Sequence, residues 1–160
     1  MLTALTGALL VAGKQALSGV PNVEVVTFLI ILYALELPKE TPGAITVFLV
    51  LQGVIYGFGL WWAMYIYIWY LLAGAARLFR RHDNALFWAV FSGVYGLCFG
   101  GLCALVYLVV KDYAFTLAWW ISGLPYDVLH AAGNFVVMLV LYRPMRRAIQ
   151  AAKRQIRYPE

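Results

Sequence analysis

Six apolar stretches, separated by short polar breaks, make up almost the whole of this chain and leave little room for any other kind of structure. A membrane-spanning helix needs about 20 predominantly apolar residues, so a chain of 160 residues has little left for a soluble domain. We predict a single all-α membrane domain over residues 1–160, a compact bundle of six transmembrane helices ending in a basic tail, residues 144–160. The predicted spans are residues 2–17, 23–37, 41–58, 60–78, 84–110 and 124–143.

Charged residues are scarce, and their placement follows a membrane topology. Only 12% of the residues are charged, whereas a soluble domain carries about 25%. The net charge of +5 does not indicate a nucleic-acid partner, because the basic residues follow apolar stretches, as they do on the cytoplasmic side of membrane proteins. These residues are Arg77, Arg80, Arg81, Arg143, Arg146, Arg147, Lys153, Arg154 and Arg157.

The distribution of basic residues also predicts the orientation. Six spans return the chain to its starting side, so a cytoplasmic tail places both termini and the loops at Lys39 and at residues 77–81 inside. The outer loops then contain one basic residue, Lys111, against ten on the inner side. This asymmetry predicts a multi-pass membrane protein with both termini in the cytoplasm.

The last stretch carries polar residues at its beginning. Ser122 and Gly123 suit a helix start, which predicts an interfacial connection over residues 111–123 before the sixth span. Asp127, His130 and Asn134 are spaced i, i+3 and i+7 and therefore share one helix face. Asp127 would interact with the helix dipole or a ligand, His130 with a neighbouring helix or a ligand, and Asn134 likewise.

Polar and aromatic residues also open the second and fourth spans, at the same membrane end. Asn22 and Glu24 precede the second span, where Glu24 is either a first-turn carboxylate or a ligand contact. Trp62 and Tyr65, continued by Trp69, form an aromatic face that either packs or stacks on a flat ring. Together with the sixth span, these ends predict a pocket open to the outside.

The first span contributes two further features. Ala4, Ala8, Ala12 and Ala16 repeat every fourth residue and leave one helix face without bulky side chains, which suits close approach of another helix. That face packs either inside this domain or against a partner. Lys14 either extends outward to the membrane surface or pairs with Glu24 or a substrate carboxylate.

No sequence pattern indicates an enzyme. The chain contains no HExxH, GxSxG or CxxC motif and no phosphate-binding loop, the patterns that would indicate hydrolytic, metal or nucleotide chemistry. His82 and His130 belong to opposite sides of the predicted membrane. We therefore expect no catalytic residue, no metal site and no cofactor.

Three segments together resemble a known family. The AxxxA face, GVPNVEVVTFLIILY, and SGLPYDVLHAAGNFVVMLVLYRPMRR are similar to the substrate-binding S component of energy-coupling factor (ECF) transporters. The resemblance implies a subunit of the prokaryotic cell membrane that captures a vitamin or related micronutrient and works with a transmembrane coupling subunit and two cytoplasmic ATPases. The aromatic residues favour a ring-bearing ligand such as a flavin, pyridoxine, a corrinoid or a deazapurine.

The resemblance also implies roles for particular residues. The alanine face would dock on the coupling subunit, and residues 19–24 would form a gate over the pocket. The expected substrate-binding residues are Asn22, Glu24, Trp62, Tyr65, Asp127, His130 and Asn134. The alternative is a small structural or assembly factor of the membrane that binds a partner helix through its alanine face.

Overall fold

The computed structural model describes residues 1–20 and 22–155, and this part of the chain contains helices but no strands. The helices are α1 (Leu2–Ala16), α2 (Val26–Glu36), α3 (Thr41–Tyr56), α4 (Leu60–Leu78), α5 (Ala85–Val110) and α6 (Tyr113–Gln155). The predicted all-α class and the presence of six helices are confirmed. Length and composition would allow α5 and α6 to cross a membrane, while α2 and α3 are shorter apolar helices.

The second helix lies at the centre of the bundle. Nine of its eleven residues are buried, as expected for a helix that is apolar on all sides. It packs against α1, α3, α4 and α6, and the remaining contacts run from α1 to α3, α3 to α4, α4 to α5 and α5 to α6. Between α1 and α6, an apolar groove of about 550 Å³ leaves Leu29 and Tyr33 of α2 at its base.

Glycines bring two helix pairs into close contact. A Cβ atom on Gly7 of α1 would lie 2.6 Å from Val47 of α3. A Cβ atom on Gly96 of α5 would lie 2.9 Å from the backbone of Ala131 in α6. Larger residues at these positions would push the helices apart, so the glycines determine the interhelical spacing.

The sixth helix differs from the prediction. It is continuous over 43 residues with Pro125 and Pro144 in its interior, so the predicted connection over residues 111–123 and the helix start at Ser122 and Gly123 are wrong. The Ser122 hydroxyl donates to the Trp119 carbonyl at 2.8 Å. The helix contacts α5 on either side of this region, at Trp120 beside Gly101 and at Asp127 beside Gly100.

The true start of α6 lies further back in the sequence. Asp112 caps it by accepting a hydrogen bond from the Phe115 amide at 2.8 Å. Asp127 is therefore in the helix interior, and the predicted interaction with the helix dipole is wrong. The predicted basic tail is helical through Gln155; the remainder of that prediction, including Arg157, lies outside the described residues.

The other boundaries differ less from the predicted spans. The helix over residues 60–78 agrees with its predicted span, and Asn84 caps α5 by accepting from the Leu86 amide at 2.8 Å. Residues 23–25 are not helical, so α2 has eleven residues and a length of about 16 Å. Because other helices surround α2, its side chains are buried despite its short length.

A polar cluster closes one end of the bundle, which we call the arginine end. Oε1 of Glu36 accepts hydrogen bonds from Arg146 Nε at 2.6 Å and from Gln150 Nε2 at 2.9 Å. Lys153 Nζ donates to the Glu36 carbonyl at 2.8 Å, and Arg146 also pairs with Asp83. The cluster joins α2, α6 and the α4–α5 loop.

Candidate ligand-binding cavity

A cavity of about 260 Å³ lies at the opposite end of the bundle, which we call the cavity end. Its wall combines the end of α1, the α1–α2 loop, and parts of α2, α4, α5 and α6. Five of the seven predicted substrate-binding residues line it. These are Asn22, Glu24, Tyr65, Asp127 and His130.

Glu24 connects the α1–α2 loop to two helices. Its two carboxylate oxygens accept from the Thr27 amide at 3.1 and 2.9 Å. Glu24 therefore bonds to the start of α2 from the loop, two residues before Val26, and not from within the first turn as predicted. The same carboxylate lies 3.2 Å from Nε2 of His130, which gives His130 a partner outside its own helix. The loop between α1 and α2 is thereby held against α6.

The loop also approaches α6 through its backbone. Asn22 has a φ angle of 57°, a left-handed conformation that asparagine tolerates better than most residues. A Cβ atom on Gly133 would lie 3.3 Å from the Asn22 carbonyl oxygen. The absence of a side chain at residue 133 therefore allows this loop to lie directly over the cavity.

Asp127 is held in place by one hydrogen bond and leaves one oxygen without a partner. The side chain is buried, with the residue 5% exposed, and its Oδ1 accepts from the Gly100 amide at 2.9 Å. Its Oδ2 has no hydrogen-bond partner within residues 1–20 and 22–155. A buried acceptor without a partner is costly in free energy, so the site is suited to a ligand that brings a donor.

Lys14 turns into the protein rather than toward the membrane surface. Its ammonium lies 4.8 Å from the ring centre of Tyr65, 5.6 Å from that of Tyr56 and 5.7 Å from that of Trp61. A cation at these distances is attracted by the ring faces. Lys14 also lines the cavity, which brings a positive charge to the same space as Glu24 and Asp127.

One wall of the cavity is aromatic. Tyr65 and Trp69 lie edge to face with ring centres 5.3 Å apart, and Phe99 lies 5.6 Å from Trp69. His130 meets the Phe99 ring at 4.8 Å. The indole nitrogen of Trp69 is buried and lacks a hydrogen-bond partner in the described part of the chain.

Two predicted residues lie away from the cavity. Trp62 faces α3, where its indole nitrogen donates to the Leu49 carbonyl at 2.9 Å and its ring contacts Phe58 at 5.1 Å. Asn134 is one helical turn beyond His130, toward the arginine end, and is 2% exposed. Helical spacing correctly predicted that Asn134 shares a helix face with Asp127 and His130. It did not predict that the cavity ends before Asn134.

Sequence reasoning missed Phe99 and did not include Trp69 among the expected binding residues. Trp69 belongs to the aromatic face already recognised on α4, and the cavity begins one turn further along it than expected. Phe99 precedes Gly100, and the clustering of glycines at Gly93, Gly96 and Gly100 was the available signal that α5 closely approaches a neighbour here.

The alanine face of α1 is exposed at all four positions, Ala4, Ala8, Ala12 and Ala16. The contact of α1 with α3 uses Gly7 on another side of the helix. Ala12 and Ala16 border the apolar groove between α1 and α6. The alanine face is therefore not the contact between α1 and α3.

Comparison of the chain with family models, curated proteins and solved structures finds no match.

Proposed function

We propose that this chain is the substrate-capture (S) subunit of an ECF-type importer, binding a vitamin or related micronutrient in the cavity. The observation that carries the proposal is the cavity itself, in which Lys14, Glu24, Asp127 and His130 converge beside an aromatic wall. Buried polar residues in a membrane protein usually face a functional site. The unpaired oxygen of Asp127 supports binding of a ligand.

The proposed protein crosses the prokaryotic cell membrane with all six helices and with the cavity end outward. The arginine end carries Arg146 and Lys153, and basic residues are retained on the cytoplasmic side. The centrally placed α2 makes its contacts with protein, which supports a bundle in which a helix of this length is sheltered from lipid.

The proposed partners are a transmembrane coupling subunit and two cytoplasmic ATPase subunits, which would carry out ATP hydrolysis. The exposed alanine face of α1 supports docking on the coupling subunit, since small residues let another helix approach closely in lipid. The adjoining apolar groove extends this surface toward α6. The chain itself would have no catalytic role.

Calorimetric titration tests the capture role. The full chain, purified in detergent and stripped of ligand by partial unfolding and refolding, is titrated with a panel of water-soluble vitamins and their precursors. We expect saturable one-to-one binding of one compound, lost in Asp127→Ala and retained in Asp83→Ala at the opposite end. Absence of binding to the whole panel by folded protein would contradict the proposal.

The exposed alanine face with its groove also supports a second candidate, an assembly factor that binds a partner helix. Ala8→Trp separates the two functions, with Leu71→Trp on the exposed side of α4 as the control. For an S component, Ala8→Trp abolishes uptake and leaves ligand affinity unchanged. For an assembly factor, partner association depends on Ala8, and no ligand binds in the cavity of any variant.

A further inference from the structure

The size of the cavity limits the ligand. Its volume of about 260 Å³ is below the range of ~300–1,000 Å³ that is usual for pockets of drug-sized ligands. A molecule with one ring or two fused rings suits such a space. A flavin with its side chain or a corrinoid would extend out of it.

Two residues that line the cavity carry buried hydrogen-bonding atoms without a partner among the described residues, one an acceptor and one a donor. Oδ2 of Asp127 is an acceptor without a partner, and Nε1 of Trp69 is a donor without one, within the residues that the structure describes. The Lys14 ammonium lies near three aromatic rings and at the cavity wall, where it can donate to a ligand. Buried groups of this kind are stabilised when a ligand completes their hydrogen bonds.

The charges and rings restrict the chemistry further. Two carboxylates, Glu24 and Asp127, line the cavity with one lysine, which disfavours a multiply charged anion such as a phosphate ester. The rings of Tyr65, Trp69 and Phe99 favour a flat molecule over a saturated one, because aromatic groups gain from stacked and edge-to-face contacts.

We propose that the ligand is a compact nitrogen heterocycle of one or two fused rings, with N–H donors on one edge and a carbonyl or ring-nitrogen acceptor on another. The donor edge hydrogen-bonds to Oδ2 of Asp127, and the acceptor lies toward Lys14 or the Trp69 indole. The aromatic wall holds the ring between them. This assignment rests on the proposed capture function and adds the substrate class.

Matched pairs of small heterocycles test the assignment. The refolded full chain is titrated calorimetrically with cytosine and uracil, and with guanine and hypoxanthine. Uracil has a carbonyl in place of the exocyclic amine of cytosine, and hypoxanthine lacks the exocyclic amine of guanine. Riboflavin and nicotinate serve as a large ligand and as a single ring without an N–H donor. The variants are Asp127→Asn and, as a matched control, Asp112→Asn, whose asparagine can still cap α6.

We expect cytosine or guanine to bind at least about 10-fold more tightly than its partner compound. A hydrogen bond from the exocyclic amine to the charged Asp127 carboxylate contributes enough free energy for this difference. Asp127→Asn removes the preference, and Asp112→Asn retains it.

Binding of riboflavin or nicotinate without dependence on Asp127 would overturn the substrate class while leaving capture intact. Lack of binding to every compound in this set would also overturn the class. The vitamin titration described above then shows separately whether capture itself fails.

Discussion

The two ends of the bundle both bury charged side chains, and they differ in how those side chains are paired. At the arginine end, Glu36 accepts from Arg146 and Gln150 and lies 3.6 Å from the Lys153 ammonium. At the cavity end, Asp127 leaves one carboxylate oxygen without a partner in the described residues, and the cavity lies beside it.

This difference separates two uses of buried polar residues. A saturated cluster restrains the structure, since removing one partner leaves the others buried without compensation. An incomplete cluster has hydrogen-bonding groups that can bond to a ligand. Substitutions at the arginine end should therefore change stability, and those at the cavity end should change ligand affinity.

The largest expected effect is that of Glu36→Ala. Loss of this carboxylate removes the acceptor of the Arg146 Nε and Gln150 hydrogen bonds and the negative charge 3.6 Å from the Lys153 ammonium. It should lower the free energy of unfolding by about 3 kcal/mol. The measurement is denaturant titration in detergent. Asp83→Ala is the control, because the exposed Asp83 carboxylate contributes less than about 1 kcal/mol. Equal losses of unfolding free energy in the two variants would show that the buried Glu36 carboxylate contributes no more to stability than the exposed Asp83 carboxylate.

The next effect is that of Lys14→Met. Methionine keeps an apolar stem among Tyr56, Trp61 and Tyr65, and loss of the cation–π attraction is offset by no longer burying an ammonium. The free energy of unfolding should change by less than about 1 kcal/mol, while affinity for the captured ligand falls about 10-fold or more.

Lys111→Met is the matched control for Lys14. Its ammonium lies 5.8 Å from the Phe115 ring at the tip of the α5–α6 hairpin, away from the cavity, and its loss should leave affinity unchanged. A Lys14→Met protein that binds the ligand like the parent would show that this charge is structural, as at the arginine end.

The smallest expected effect is that of Gly123→Ala, which tests the continuity of α6 near the cavity. A Cβ atom at this position meets no atom within 4 Å, and alanine is favoured over glycine inside a helix by about 0.5–1 kcal/mol. Unfolding of the variant should therefore require slightly more denaturant. Gly74→Ala on α4, equally free of neighbours, should behave in the same way. Destabilisation by Gly123→Ala alone would indicate a helix break at residues 122–123.

Much of the fold was predictable from the apolar pattern, because each helix of the bundle corresponds to one stretch of apolar residues. The error at residues 111–123 arose because Ser122, Gly123 and Pro125 are local signals for a helix start, whereas the contacts of α6 with α5, such as that between Asp127 and Gly100, join residues far apart in the sequence. Of the five predicted binding residues that line the cavity, helical spacing places Tyr65, Asp127 and His130 on inward faces, whereas Asn22 and Glu24 reach it from the α1–α2 loop. Trp62 and Asn134 share those faces but lie beyond the ends of the cavity.

The sequence by itself determined the helical class and the separation of basic residues from the mixed polar and aromatic end, since both depend on composition and short-range periodicity. Only the tertiary structure decided that Lys14 turns inward, that Phe99 and Trp69 form the wall, and that Asp127 retains an unpaired oxygen. Those properties depend on which helices meet and at what depth. The glycine contacts between α5 and α6 and between the α1–α2 loop and α6 set that depth. These contacts join residues that are far apart in the sequence.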